Sequence, residues 1–305
     1  MKKILMTGSS GFIGGYLKNR LSPNYEIYEL KSDLLDYNSV KKELEECNPE
    51  FIIHLAARTE VEKSFYEQIK FSEVNYVGTV NMIESAKNLP NLKLFIFSST
   101  METYGWQHES DLLKTDDSVP VPCFTEETPQ NPNAPYAVAK VACEFYLHYA
   151  KRAYNFPFTA LRQTNTYGRH DNNFFVVEQI ITQMLKNKDE INLGYSEPYR
   201  NFLYIDDLID LYETVIDKHE SAKGQIFCTG PNNALRIKDL ANKIAEKLNW
   251  SGTINWNTKP ARPGEIYVLN SSNQKATDLL GWYPKVNLND GLDRVISIWK
   301  EKYRD

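Results

Sequence analysis

The stretch that most constrains this chain is Thr7-Gly8-Ser9-Ser10-Gly11-Phe12-Ile13-Gly14, set between two apolar runs. Ile4-Leu5-Met6 before it reads as a buried strand, and Tyr16-Leu17 through Leu21 after it reads as a helix. The glycines recur at a spacing of three and three. Gly8 permits a tight turn, Gly11 lets a backbone approach a pyrophosphate, and Gly14 lets helix and strand pack closely. The helix start offers free N–H groups and the positive end of a dipole to phosphates. A glycine triplet is informative when it links a strand to a helix, as this one does.

The pattern that follows extends the strand–helix alternation. Glu26-Ile27-Tyr28-Glu29-Leu30 reads as a second strand, Ser39 to Cys47 as a helix, and Phe51-Ile52-Ile53-His54-Leu55 as a third strand. Val74-Asn75 to Ala86 is helical, and Leu94 to Phe97 is a fourth strand. Alternation from residue 3 to about 165 argues an α/β fold with a doubly wound parallel sheet. The small residues Ala56 and Ala57 would let a flat cofactor lie against the backbone. An acid closing the second strand would favour NAD; here Glu29 is slightly early and Lys31-Ser32 leans towards the 2′-phosphate of NADP. His54 has no companion at metal-ligand spacing and reads as a satisfied strand histidine.

Composition excludes several classes. With 42% hydrophobic and 25% charged residues the chain is not disordered, and a formal charge of −5 without a Lys/Arg block gives no nucleic-acid footprint. Four scattered cysteines lack CxxC spacing, which favours reduced thiols over a disulfide framework or a zinc site. No stretch reaches membrane-spanning length and the first apolar run is too short for a signal peptide, so the expected location is the cytoplasm.

In an open parallel sheet, ligands bind outside the carboxyl ends of the strands. Ser98-Ser99-Thr100-Met101-Glu102 stands at such an end, so Thr100 and Glu102 either face a cleft or belong to a solvated loop. Residues 106–133 form a long polar loop that reads as an active-site border or as an insertion. Beyond it, Tyr136-Ala137-Val138-Ala139-Lys140 opens a helix and puts Tyr136 and Lys140 on one face. A nearby ammonium lowers a phenol's pKa, and a phenol so tuned can take a proton from a sugar hydroxyl.

These elements together resemble the extended short-chain dehydrogenase/reductase family, in its nucleotide-sugar epimerase and dehydratase group. Thr7 to Gly14 resembles the family's TGxxGFIG loop, His54 to Ala57 its H-x-A-A element, and Ser98-Ser99-Thr100 before Tyr104-Gly105 its catalytic strand. Pro132 with Tyr136 and Lys140 resembles P-x-x-x-Y-x-x-x-K, and Leu161-Arg162 to Tyr167-Gly168 resembles LRxxNxYG. Arg200 to Asp207 resembles RDFxYVDD with Asn201 in place of Asp, Arg262 to Glu265 matches RPGE, and Leu280 to Pro284 matches LGWxP. The resemblance implies a Rossmann-type sheet in residues 1–165, with later segments interleaving near 200–230, and a smaller α/β nucleotide-sugar-binding domain in 166–305. The helical stripes after residue 174 are core of that second part.

The resemblance also implies roles. Tyr136 is the acid/base, Lys140 tunes it and anchors the cofactor ribose, and Thr100 binds the reacting hydroxyl. Gly8, Gly11, Phe12, Ile13 and Gly14 hold the pyrophosphate of NAD or NADP. Asp33 and Leu34 flank adenine, and Leu55, Ala56, Ala57 and Asn75 line the cofactor. Asn165, Arg200 and Arg262 contact the diphosphate of a nucleotide-sugar substrate, with Met101 beside the sugar, and the chain pairs as a homodimer through helices near 76–88 and 137–153. No metal is implied.

The reaction turns on Thr100-Met101-Glu102. Family dehydratases resemble Thr-Asp-Glu or Thr-Ser-Glu here, with the Glu taking the C5 proton after oxidation at C4. Glu102 therefore points to elimination, 4,6 or 5,6, while Met101 departs from the pattern because a thioether cannot protonate a leaving hydroxide. A 4-epimerase with Glu102 as spectator, a nucleotide-glucuronate decarboxylase and a non-catalytic dinucleotide sensor are the alternatives. Retention of both Tyr136 and Lys140 argues against the last.

Overall fold

The computed structural model describes residues 1–105, 121–259 and 263–303. The chain starts with β1 (Lys2–Thr7), α1 (Phe12–Leu21), β2 (Tyr25–Glu29), α2 (Tyr37–Cys47) and β3 (Phe51–His54). Two short helices, α3 (Val61–Ser64) and α4 (Gln68–Ser72), run through a π-turn, Glu73–Val77, into α5 (Gly78–Ala86). Then come β4 (Leu94–Thr100), a 3₁₀ turn (Met101–Tyr104), α6 (Pro135–Tyr154), β5 (Phe158–Gln163) and β6 (Asn165–Tyr167).

Six strands make one parallel sheet in the order β10-β5-β4-β3-β1-β2, where β10 is Gln225–Cys228. Strands β1 and β3 are neighbours, with β2 outside β1, so the order reverses at the carboxyl end of β1. That reversal leaves the crevice in which open α/β sheets bind ligands. The fold is thus Rossmann-like. Strands β1, β3 and β4 carry continuous apolar runs and β5 is buried along its whole length, because helices cover both faces.

The later chain adds α7 (Val176–Lys186), β7 (Glu190–Asn192), β8 (Tyr199–Arg200), β9 (Phe202–Tyr204), α8 (Ile205–Asp217) and α9 (His219–Ala222) before β10. After β10 come β11 (Leu235–Arg236), α10 (Ile237–Leu248), β12 (Thr253–Asn255), β13 (Val268–Leu269), α11 (Gln274–Leu280) and α12 (Leu288–Lys302). These strands form small sheets, β11-β8-β13, β12-β7 and β6-β9. A large core runs from β1 and β3 through α7 and α8 to Leu292, Val295 and Trp299 of α12. The helices of the later chain therefore pack on one face of the large sheet.

Two local differences from the sequence reading matter for the site. Strand β4 continues past Phe97 to Thr100, because Ser98, Ser99 and Thr100 keep their ladder with Leu161, Arg162 and Gln163. The helix read from Val74 opens as a π-turn, and Asn75 lies within it. No helix among the described residues is long and apolar enough to cross a membrane.

Candidate active site

A cleft of about 600 Å³ opens at the carboxyl ends of the sheet strands. It is lined by Gly8, Gly11, Phe12, Ile13 and Gly14, by Leu55, Ala56 and Ala57, and by Thr100, Met101, Glu102, Tyr136 and Asn165. The structure thus brings together residues more than 150 positions apart.

At the glycine end, Gly8 has φ +69°, and a Cβ there would come within 2.8 Å of the Ala56 nitrogen. A Cβ on Gly14 would overlap the Gly8 carbonyl oxygen. Helix α1 starts at Phe12 with no side-chain cap, leaving its first N–H groups to whatever lies in the cleft. This backbone cradle fits a dinucleotide diphosphate.

The cradle is braced from beneath. The Thr7 hydroxyl accepts from Ala56 N–H at 3.0 Å and donates to His54 Nδ1 at 2.8 Å. His54 Nε2 donates to the Thr79 hydroxyl at 2.9 Å, which donates to the Asn75 carbonyl at 2.6 Å. Burial depresses the His54 pKa to about 3, so the ring is neutral and structural, as the strand-histidine reading holds. Asn75 differs from its expected position against the cofactor: its side chain clasps the Arg58 backbone, accepting from N–H at 2.8 Å and donating to C=O at 2.9 Å.

The adenosine end also differs. The backbone N–H groups of Lys31 and Ser32 and the Ser32 hydroxyl all donate to Glu43, at 2.9, 3.0 and 2.6 Å. The donors expected to greet a 2′-phosphate are already spent on a carboxylate. Glu29, the residue that looked early, ends β2 beside the glycine loop; Ser9 donates to it at 2.5 Å and Lys18 pairs with it. Asp33 accepts from Leu35 N–H at 2.9 Å, and Leu34 is buried with its side chain close to Gly78.

At the other end, the Thr100 hydroxyl caps the 3₁₀ turn by accepting from Glu102 N–H at 3.2 Å and is hydrogen-bonded to the Tyr136 phenol. Burial, then the Glu102 carboxylate, push the phenol's pKa up; the Thr100 bond opposes them. Lys140 is one turn along α6 from Tyr136. It donates to the Ser98 carbonyl at 2.6 Å and lies 4.6 Å from the Phe97 ring centroid. Burial brings its pKa down to about 8. Met101 is 2% exposed and packs with Tyr104, Phe124 and Leu269.

Asn165 donates to the Asn201 carbonyl at 3.3 Å. Arg200 is buried on β8, donating to the Tyr199 carbonyl at 2.9 Å and to Glu265 at 3.2 Å. Arg262 lies outside the described residues. The sequence reading missed Arg169 and Glu178 on the cleft wall. Its only signal was a basic residue directly after Tyr167-Gly168 and an acid nine residues on. A second omission is Gln163, which donates to the Ser98 hydroxyl at 3.0 Å and to the Tyr212 hydroxyl at 2.6 Å.

The family model described as GDP-mannose 4,6 dehydratase matches residues 21–295. Human dTDP-D-glucose 4,6-dehydratase is 29% identical, over 100% of this chain and 91% of its own. The structure of a UDP-glucose 4-epimerase with UDP-glucose from Thermotoga maritima superposes with a TM-score of 0.86 at 25% identity, covering 98% of this chain and 99% of that one. A UDP-glucuronic acid 4-epimerase from Bacillus cereus, in complex with UDP-glucuronic acid and NAD, gives 0.85 at 25% identity, covering 99% and 100%.

Proposed function

We propose, for a chain that belongs to the extended short-chain dehydrogenase/reductase family in its nucleotide-sugar epimerase and dehydratase group, that it is a nucleotide-sugar dehydratase. The observation that carries this reading is Glu102 in the same cleft as Thr100 and Tyr136, close enough for its charge to bear on the phenol.

The glycine cradle, Ala56 and Ala57 would hold a nicotinamide dinucleotide, which supplies a reversible hydride acceptor for the sugar's C4. Glu29 at the end of β2 and the occupation of Ser32 by Glu43 support NAD over NADP, since a 2′-phosphate there would meet carboxylates. Thr100 orients the C4 hydroxyl and the Tyr136 oxygen takes its proton. With C4 a ketone, the C5 hydrogen is acidic and Glu102 removes it. The C5–C6 double bond forms as the C6–O bond breaks. Met101 offers the departing hydroxide no proton, so the proton Glu102 has taken from C5 leaves with it as water. A 4-keto-6-deoxy sugar and a 5,6-unsaturated sugar differ in which carbon, C6 or C4, is reduced last. Asn165 and Arg200 are the proposed contacts to the substrate diphosphate.

The buried, apolar setting of Met101 favours a second reading, a 4-epimerase, in which no leaving group needs an acid. Incubation with UDP-, dTDP-, GDP- and CDP-hexoses in deuterated water separates the two by NMR and mass. Loss of water with deuterium at C5 or C6 is expected. An unchanged mass with inverted C4 and no deuterium refutes the dehydratase.

We also propose that the chain works as a homodimer. Val138, Phe145 and Tyr149 are exposed along one face of α6, and Ile69 of α4 and Val77 are exposed on the elements packed beside it.

A further inference from the structure

Met101 and Asn133 have no part in the proton transfers proposed above, yet both hold one stretch of the later chain, residues 264–269. Met101 directly precedes Glu102 and is 2% exposed. It is buried in an apolar cluster with Ile266, Val268 and Leu269, and β13 lies against the 3₁₀ turn that carries it. Asn133 stands two residues before α6 and three before Tyr136. Its side-chain amide donates to the Gly264 carbonyl. The approach is close, because a Cβ on Gly264 would come within 2.6 Å of the Asn133 carbonyl oxygen and 3.2 Å of the Phe65 ring.

The same stretch is tied to the proposed diphosphate site. Glu265 accepts from Arg200 at 3.2 Å, and β13 runs parallel to β8 with Leu269 opposite Arg200. Asn201 N–H donates to the Leu269 carbonyl at 3.2 Å. Residues 131–133 are in turn pinned to the 3₁₀ turn. Asn131 N–H donates to the Thr103 carbonyl at 3.1 Å, and Gly105, at φ +54°, has no room for a Cβ beside the Asn131 carbonyl. The turn with Glu102, the approach to Tyr136 and the stretch beside Arg200 thus meet at two contacts. Each contact sets its own chemistry. The Gly264 carbonyl needs a donor, which an amide has and a carboxylate lacks. The apolar cluster suits a thioether, whereas a carboxylate at 101 would be buried among hydrocarbon side chains.

We infer that Met101 and Asn133 are positioning residues, through which residues 264–269 set Glu102 and Tyr136 against a substrate whose diphosphate is held at Arg200. Contacts made at the diphosphate then raise turnover rather than affinity. This rests on the nucleotide-sugar reading above, with Tyr136 and Glu102 as the reacting groups.

The test is steady-state kinetics of the full chain with whichever UDP-, dTDP-, GDP- or CDP-hexose the wild type turns over, joined to calorimetric titration with the matching nucleoside diphosphate. Asn133→Asp keeps the shape and loses the donor, and Met101→Ala removes the apolar contact. Each should lower kcat about ten- to a hundredfold, with KM and nucleoside diphosphate affinity within about twofold of wild type. The double variant should lose little more than the worse single one, since both act through one stretch. Met101→Leu should recover most of the loss and Met101→Asp should not. Asn133→Asp carries the test if Met101→Ala does not fold. A raised KM with kcat intact overturns the assignment, because it marks damage to the binding site alone. So do an unaltered kcat in either single variant, losses that multiply in the double variant, or a Met101→Asp variant faster than wild type, which would make position 101 the place of an acid. A wild type that turns over none of these hexoses overturns the nucleotide-sugar reading along with it.

Discussion

Burial and the Glu102 carboxylate both favour the protonated phenol of Tyr136. A base must be deprotonated to act, so activity through Tyr136 should rise with pH along its titration. Glu102→Gln removes one of the two causes that hold the phenol up. Its kcat/KM should therefore fall about a hundredfold or more at its maximum, while its rising limb moves to lower pH; a limb that stays put refutes the coupling. Tyr136→Phe should cost about a hundred- to ten-thousandfold in kcat and leave NADH binding intact, and unaltered turnover would remove Tyr136 from the mechanism. Lys140 carries a stability signature. Its pKa is about 8 against an ordinary 10.5, because burial penalises the ammonium. Below pH 8 both folded and unfolded chains are protonated, and the full penalty is present. Between those values the unfolded chain binds more protons, so stability rises with pH. In urea melts, wild type should gain on Lys140→Met from about pH 8 to about pH 10.5. Parallel profiles would mean that the ammonium is solvated.

Strand β4 and helix α6 carry the proposed catalytic groups, and one carboxylate registers them. Glu144, one turn beyond Lys140, accepts from the Ser99 hydroxyl at 2.5 Å, from Arg162 Nη2 of β5 at 2.8 Å and from Gln130 at 2.7 Å. Arg162 donates on to the Tyr104 hydroxyl at 3.0 Å and to the Glu126 carbonyl at 3.3 Å. Both partners are almost wholly buried. Glu144→Gln keeps the shape and strands the guanidinium, so it should cost about 3–5 kcal/mol. Glu144→Leu with Arg162→Met should cost less than either single change, and strict additivity in urea melts would refute the pairing. This network also explains what the sequence withheld. Ser98, Ser99 and Thr100 looked like the start of a loop because three hydroxyls rarely extend a buried strand. They do so here because Gln163, Glu144 and Tyr136 satisfy them from neighbouring elements. The apolar runs of β1, β3 and β4 and the Tyr136–Lys140 spacing were legible because they are local. The partners of Ser99 lie 45 and more residues away, and no local pattern encodes them.

At the scale of the molecule, the same limit hid the meeting of Arg169 with Phe12 and of Ser9 with Glu29. Each depends on which loops the sheet order brings together. What the sequence could convey is a helix whose two faces differ in purpose. Tyr136, Lys140 and Glu144 lie on the buried face of α6, and Val138, Phe145 and Tyr149 lie on the exposed one. Phe145 is 66% exposed, Ile69 76%, and their helices are in contact, so the apolar surface is continuous across two elements. Contiguous patches of this kind mark interfaces more often than free surface. A two-fold axis through the patch would set α6 against its copy and bury one self-complementary face. Helix α6 would then be packed from both sides, and its rigidity would depend on assembly. Sedimentation at micromolar concentration should show a dimer. Phe145→Glu should give a monomer with a lower melting temperature and reduced kcat, although residue 145 does not line the cleft. A monomeric wild type, or a Phe145→Glu variant that sediments as the wild type does, would show that the exposed face of α6 has no such role.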